Sequence, residues 1–283
     1  MLTYKEVLKK AQQELVDVGV YEQTAQLLML ELSNQESSDL YANYECEMSS
    51  ELYDLFQQRM TRLKKHEPLQ HILGYQWFYG RKFNVSKDVL IPRYETEELV
   101  ANVLLEIDEH FPEGIVEMVD IGTGSGAIAI TLALEEPRIK MVATDISQDA
   151  LDIARNNAQT LEANIEFLQG DMLKPCIDKG IKVDILVSNP PYIPKEQALE
   201  KSVKDYEPDV ALFGGEDGLF FYREILKNAH LLIKEKSILA FEIGFDEKDS
   251  LMKMSAEYFP NDRIEVLKDL NNKDRMLFIY HNC

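Results

Sequence analysis

The chain has 283 residues, 45% of them hydrophobic and 28% charged, with a formal net charge of −20. That composition fills a core and excludes a largely disordered chain, and the length suits about two domains. The acidic balance repels phosphates, so it argues against a nucleic-acid partner and favours a basic protein partner.

The three cysteines, Cys46, Cys176 and Cys283, lie far apart and form no CxxC pair. A disulfide framework or zinc cluster is therefore not expected, nor is any metal. Free cysteines suit a reducing compartment. Met1-Leu2-Thr3-Tyr4 runs straight into an amphipathic pattern with no apolar leader segment. No stretch approaches the ~20 apolar residues of a membrane span. A cytoplasmic protein with no membrane partner is the expectation.

Residues 1–74 read as a helical bundle. Val7, Leu8, Ala11, Leu15 and Val18 recur at helical spacing until Gly19 breaks the pattern. Further stripes run over 24–32 and 52–63, separated by loop and cap residues such as Ser33-Asn34 and Ser37-Ser38-Asp39. The bundle contains no catalytic cluster, and recognition of a protein partner is the expected role. Residues 75–92 change character: Tyr75, Trp77, Phe78, Tyr79, Phe83 and Val85 surround Gly80-Arg81-Lys82. Aromatic and β-branched residues about a glycine predict a hairpin that links the two domains.

Residues 93–283 alternate helix and strand. Helices are predicted over 95–109, 127–134, 149–160 and 219–233. Strands are predicted over 116–121, 140–144, 164–168, 183–188 and 238–243. Two closing runs, 263–266 and 275–280, could pair as a hairpin and add an antiparallel strand. The alternation predicts an α/β fold with a doubly wound, mostly parallel sheet.

Asp120-Ile121-Gly122-Thr123-Gly124-Ser125-Gly126 follows the first of these strands and opens a helix. Glycines there let the backbone turn sharply and approach a ligand, and the helix start offers free N–H groups. Asp145 ends the next strand, where an acidic side chain can bind a ribose diol. With Ala127 the stretch also satisfies the G-x-G-x-x-A fingerprint, so the loop alone does not choose between NAD and S-adenosylmethionine. After the third strand, Asp171 could accept from an adenine amino group and Met172 could pack on the ring.

Asn189-Pro190-Pro191-Tyr192 follows the strand 183–188. Two prolines cannot continue a ladder and fix the backbone carbonyls, while Asn189 adds a side-chain acceptor and Tyr192 an aromatic face and a hydroxyl. A planar –NH₂ group is a poor nucleophile. Gripping its two hydrogens with the Asn189 side-chain oxygen and the Pro190 carbonyl would hold the nitrogen and stabilise the positive charge that develops on attack. Asn189, Pro190 and Tyr192 are the catalytic candidates, and Pro191 joins them in binding the substrate.

These stretches resemble the protein-glutamine N5-methyltransferases of the HemK/PrmC type. The resemblance covers nearly the whole chain. It includes Pro68 to Gly74, Ile91-Pro92-Arg93-Tyr94-Glu95-Thr96-Glu97, Asp120 to Gly126, Asn189 to Tyr192, Glu207-Pro208 through Gly218, and Glu242-Ile243-Gly244. It implies a seven-stranded class I methyltransferase sheet with a small N-terminal helical domain. It also implies that Gly122, Thr123, Gly124, Ser125, Gly126, Asp145, Asp171, Met172 and Asn189 line S-adenosylmethionine, which becomes S-adenosylhomocysteine. The substrate implied is the glutamine in the Gly-Gly-Gln loop of class 1 peptide chain release factors, held by Asn189 to Tyr192. Tyr94 stands where the family usually has a second proline, a position that opens a helix and tolerates other residues. Arg93 either closes the site around the cofactor or pairs with Glu97.

Other readings remain open at this stage. A ribosomal protein uL3 glutamine methyltransferase shares the pattern. An adenine-N6 methyltransferase needs the same grip on a planar –NH₂. The glycine loop by itself also suits an NAD(P) enzyme, and a non-catalytic binding protein could keep the fold.

Overall fold

The computed structural model describes residues 2–283, and the chain divides into two compact units. The first is Met1–Gly74 together with Leu199–Tyr206, and the second is Tyr75–Ala198 with Glu207–Cys283.

The first unit holds α1 (Tyr4–Asp17), α2 (Gln23–Ser33), α3 (Ser37–Ala42), α4 (Ser50–Leu63) and α5 (Leu69–Leu73). Thr3 caps α1 in a reciprocal box with Glu6. Asn34 ends α2 in the left-handed conformation (φ 51°), and Ser49 caps α4 through the Leu52 N–H. The stripe of Val7, Leu8, Ala11 and Leu15 is buried with Leu28, Met29 and Phe56 in one cluster. The Tyr206 hydroxyl donates to the Lys65 carbonyl (2.9 Å), tying the inserted segment 199–206 to this bundle.

The second unit begins with the hairpin of β1 (Tyr75–Phe78) and β2 (Arg81–Asn84). Tyr79 (φ 49°) and Gly80 (φ 73°) make its turn, both left-handed as a tight hairpin requires. The residues expected as a linker are grouped with the second unit. Phe78 and Phe83 lie in its core, ring centroids 5.9 Å apart. The Asn157 side chain accepts from the Asn84 N–H (2.8 Å) and donates to its carbonyl (3.0 Å).

The remaining elements follow in order. They are α6 (Tyr94–His110), β3 (Val116–Ile121), α7 (Ala127–Glu135), β4 (Ile139–Asp145), α8 (Gln148–Thr160), β5 (Ile165–Gln169), α9 (Lys174–Asp178) and β6 (Val183–Ser188). Then come α10 (Lys201–Lys204, within the segment grouped with the first unit), α11 (Phe220–Asn228), β7 (Ile233–Glu242), α12 (Lys248–Tyr258), β8 (Arg263–Lys268) and β9 (Asp274–His281). Seven strands form one sheet in the order β5-β4-β3-β6-β7-β9-β8. β3 to β7 run parallel, and β9 lies antiparallel between β7 and β8. This is the doubly wound, mostly parallel seven-stranded sheet that the family resemblance implies. Strands covered on both faces carry continuous apolar runs, as in Ile185-Leu186-Val187 of β6.

One boundary differs from expectation. The helix predicted over 219–233 ends at Asn228 and tightens into a 3-10 turn at Ala229–Leu231. Ile233 then pairs with Val183, and β7 continues past a bulge to Glu242. Pairing with the parallel neighbour overrides the helical apolar spacing of Leu231, Leu232 and Ile233.

The strand order reverses at β3, with β4 on one side and β6 on the other. Ligands of open α/β sheets bind at such a point, outside the carboxyl ends of the strands. The glycine loop leaves β3 there, and Asn189 leaves β6 there.

Candidate active site

An open cleft runs along those carboxyl ends. Gly122 (φ 73°) and Gly124 (φ 55°) line it in left-handed conformations. A Cβ built on either meets no protein atom within 4 Å. The bare backbone therefore faces free space, a cradle that suits a ligand approaching closely. The loop itself is tightly tied. The N–H groups of Gly122 and Thr123 both donate to the Thr144 carbonyl (2.9 Å each). The Thr123 hydroxyl donates to Asp120 (2.7 Å), whose fully buried carboxyl is pushed up to about 7 by burial.

Asp145 lines the cleft and accepts from the Gly124 N–H and the Ser147 N–H (2.9 Å each). Burial raises its carboxyl above the ordinary aspartate value, with those N–H groups pulling the other way. Each carboxylate oxygen keeps a second lone pair for a diol. Ser125, Asp171 and Met172 also line the cleft, and Met172 takes a left-handed conformation (φ 45°) with its carbonyl held by the Thr144 hydroxyl (3.1 Å). Gly126 has a different place. A Cβ on it would meet Ile130 Cδ1 at 2.8 Å and Ala154 Cβ at 3.2 Å. Its glycine lets α7 start against α8, and it does not line the cleft.

Asn189, Pro190 and Pro191 also line the cleft. The chain after them is buttressed from behind. The Ile193 N–H donates to the Leu212 carbonyl (3.0 Å), and the Gly214 N–H donates back to Ile193 (2.9 Å). A Cβ on Gly214 would strike the Pro191 carbonyl, and one on Gly218 would strike the Tyr192 carbonyl. The glycine-rich segment is thus a backbone-to-backbone support for the proline corner. Tyr192 is not among the cleft residues. Its ring packs on the core beside β6 and β7, and burial, with Glu242 nearby, raises its phenol well above the ordinary range. It stays protonated and supports the corner from the protein side.

Three residues with no role assigned from the sequence hold the site together. The Asn189 Nδ2 donates to the Thr96 hydroxyl (3.2 Å), and Thr96 donates to buried Glu242 (2.5 Å). Buried Glu207 receives Arg93 on one oxygen and the Ile91 N–H on the other (3.0 Å). Arg93 therefore pairs with Glu207 and not with Glu97, which accepts instead from the Tyr79 N–H (2.8 Å). Arg93 also lines the cleft. The segments Glu95-Thr96-Glu97, Glu207-Pro208 and Glu242-Ile243-Gly244 carried the family resemblance, which was the signal available for these residues.

Comparison with known proteins gives concordant matches. The family described as PrmC N-terminal domain matches residues 6–74, and the Methyltransferase small domain family matches residues 101–205. The chain is 43% identical over 280 residues to the release factor glutamine methyltransferase of Bacillus subtilis, covering 98% of this chain and 97% of that protein. It is 40% identical over 275 residues to the protein of the same name from Bacillus anthracis, covering 96% and 97%. Among solved structures, a methyltransferase from Pyrococcus furiosus superposes with a TM-score of 0.52 at 16% identity, covering 80% of this chain and 98% of that one. That likeness concerns the fold.

Proposed function

Because the chain belongs to the release factor glutamine methyltransferase family, we propose that it methylates the glutamine of the Gly-Gly-Gln loop of class 1 peptide chain release factors. The methyl group goes from S-adenosylmethionine to the side-chain amide nitrogen. The observation that carries the reading is the placement of Asn189. Its amide N–H is turned into the protein toward Thr96, so its Oδ1 is left for the cleft.

When bound, S-adenosylmethionine supplies an electrophilic methyl carbon on a sulfonium. The glycine loop and Asp145 suit such a cofactor, because bare backbone and a carboxylate face the same open space. Asn189 Oδ1 and the Pro190 carbonyl accept the two hydrogens of the substrate amide. An amide nitrogen shares its lone pair with its carbonyl, and two acceptors favour the geometry in which that pair is free to attack. They also stabilise the positive charge the nitrogen gains, which is strongest at the transition state. The proton then becomes acidic and is lost to solvent, so no dedicated strong base is required. Pro190 and Pro191 keep the two acceptors fixed before the substrate arrives.

The net charge of −20 supports a basic protein partner over a nucleic acid. The helical first unit, matched to the PrmC N-terminal domain, is proposed to read that partner. No described helix is long and apolar enough to cross a membrane. A cytoplasmic activity belongs to the same proposal, because release factors act on ribosomes.

The test is mass spectrometry of a recombinant class 1 release factor incubated with the protein and methyl-labelled cofactor. One labelled methyl on the glutamine of the Gly-Gly-Gln loop is expected. An unmodified glutamine, or label elsewhere, refutes the substrate assignment.

A further inference from the structure

We propose that Thr96 and Glu242 decide which end of the Asn189 amide faces the substrate, and so act as positioning residues for methyl transfer. The proposal rests on the reading that Asn189 grips the substrate amide. A side-chain amide has a donor end and an acceptor end of nearly the same shape. Only one orientation can serve a substrate –NH₂, which presents donors: the Oδ1 must point outward and the Nδ2 inward. Something inside the protein must select it.

The selection follows from counting protons. Thr96 and Glu242 are buried, at 4% and 2% exposure. The Thr96 hydroxyl has one proton, and that proton is committed to Glu242 Oε2 at 2.5 Å. Toward Asn189 the hydroxyl can offer only a lone pair. A lone pair accepts from Nδ2, which lies at 3.2 Å, and repels Oδ1. The carboxylate charge is thereby converted, through the Thr96 hydroxyl and through its own hydrogen bond with the Asn189 side chain, into a preference for the productive amide orientation.

The protonation state of Glu242 sets the direction of this chain. With a proton on the carboxyl, Glu242 donates to the Thr96 oxygen, and the Thr96 proton turns toward Asn189. Asn189 then favours Oδ1 inward and presents Nδ2 to the substrate, where donor meets donor. Several groups face Glu242. The Thr96 hydroxyl, Arg275 of β9 and the Asn189 side chain favour its charged form, and Glu95 of α6 disfavours it. The phenols of Tyr192 and of Tyr222 in α11 lie close by, and Tyr222 donates to the Glu242 backbone carbonyl (2.6 Å). Burial dominates and pushes the carboxyl up to about 7. Ionised Glu242 is the competent form, so activity should rise with pH through its titration.

The experiment compares wild type with Thr96→Val, Thr96→Ser, Glu242→Gln and Asn189→Ala. Methyl transfer to a recombinant class 1 release factor is followed across pH, and S-adenosylhomocysteine binding is measured by calorimetry. Thr96→Val keeps the shape of threonine and removes the hydroxyl. It should lower kcat by roughly 10- to 100-fold, leave KM for the release factor within about threefold, and retain S-adenosylhomocysteine binding. Thr96→Ser should recover most of the lost rate. Glu242→Gln can still accept from Thr96 but does not titrate, so the acid limb of the wild-type pH profile should vanish. A wild-type rate in Thr96→Val overturns the proposal. If that variant does not fold, the pH profile of Glu242→Gln decides, and an acid limb identical to wild type overturns it. A wild-type rate in Asn189→Ala refutes instead the underlying reading of Asn189. Loss there with Thr96→Val intact removes only the role of Thr96 and Glu242.

Discussion

Glu207 holds Arg93 with one carboxylate oxygen and the backbone N–H of Ile91 with the other. The carboxylate is almost fully buried, whereas Arg93 reaches the cleft. One acidic side chain therefore pins the segment between the hairpin and α6, part of which lines the cleft. Glu207→Ala leaves the Ile91 N–H and a half-buried guanidinium without their partner. Each unmet buried polar group costs about 1–3 kcal/mol. The thermal midpoint should fall, and S-adenosylhomocysteine should bind more weakly because the wall loosens. Scanning calorimetry and titration calorimetry would check both, and an unchanged dissociation constant would confine Glu207 to stability.

Gly214 and Gly218 test the support behind the proline corner. A methyl group on Gly214 collides with the Pro191 carbonyl, and one on Gly218 with the Tyr192 carbonyl. Gly218 also has φ +80°, which an alanine resists. The backbone must shift by a fraction of an ångström at least, and the shift is delivered to the acceptors on Asn189 and Pro190. Gly214→Ala should lower turnover by about 100-fold while the glycine-loop side of the cleft still takes S-adenosylhomocysteine. Equal losses in turnover and cofactor binding would mean a general collapse and not a misplaced corner.

Much of this arrangement is legible in the sequence, for a reason that differs by residue. The glycine loop and Asp145 are local signals: strand, turn and helix start follow one another in the chain. The Asn-Pro-Pro-Tyr corner is legible because two prolines after an apolar strand admit few backbone paths. Thr96, Glu207 and Glu242 are different. Thr96 meets Glu242 across 146 positions and Asn189 across 93, and Arg93 meets Glu207 across 114. No periodicity encodes such pairings; only the folded sheet brings them together. Gly126 carries the opposite lesson. It sits within the glycine motif, yet its absent side chain serves the packing of α7 on α8. Spacing reveals that a glycine is needed and not which neighbour needs it.

Asp145 is proposed to serve both the cofactor and the glycine loop, whose side of the cleft it lines. Its carboxylate lines the cleft, and it already holds the N–H groups of Gly124 and Ser147. Asp145→Ala removes both a ligand contact and a brace of the glycine loop. The dissociation constant of S-adenosylmethionine should rise about tenfold or more, since one lost charged hydrogen bond of about 1.5–3 kcal/mol suffices for that. Turnover at saturating cofactor should change far less, because the Asn189 corner is untouched. Titration calorimetry beside rates at saturation would separate the two, and a fall in saturated turnover alone would contradict the assignment.

Glu247 offers a stability test independent of catalysis. Its buried carboxylate accepts from the Gly244 N–H (2.8 Å), and burial, reinforced by Asp246 and Asp217, pushes it from the ordinary 4.5 up to about 7. The folded state therefore binds its proton more tightly than the unfolded chain does. Below the unfolded value the carboxyl is protonated in both states and carries no penalty. As pH rises through the interval from 4.5 to about 7, the unfolded chain releases the proton first, and stability falls. Above that interval the full penalty persists, on the order of 3 kcal/mol. Glu247→Gln keeps an acceptor for Gly244 and cannot ionise. It should melt higher than wild type at about pH 8 and lose most of that advantage at about pH 5. Thermal melts of both proteins across that range measure the difference directly. An advantage that is constant with pH, or that grows toward acid, would show that Glu247 is not the group that titrates.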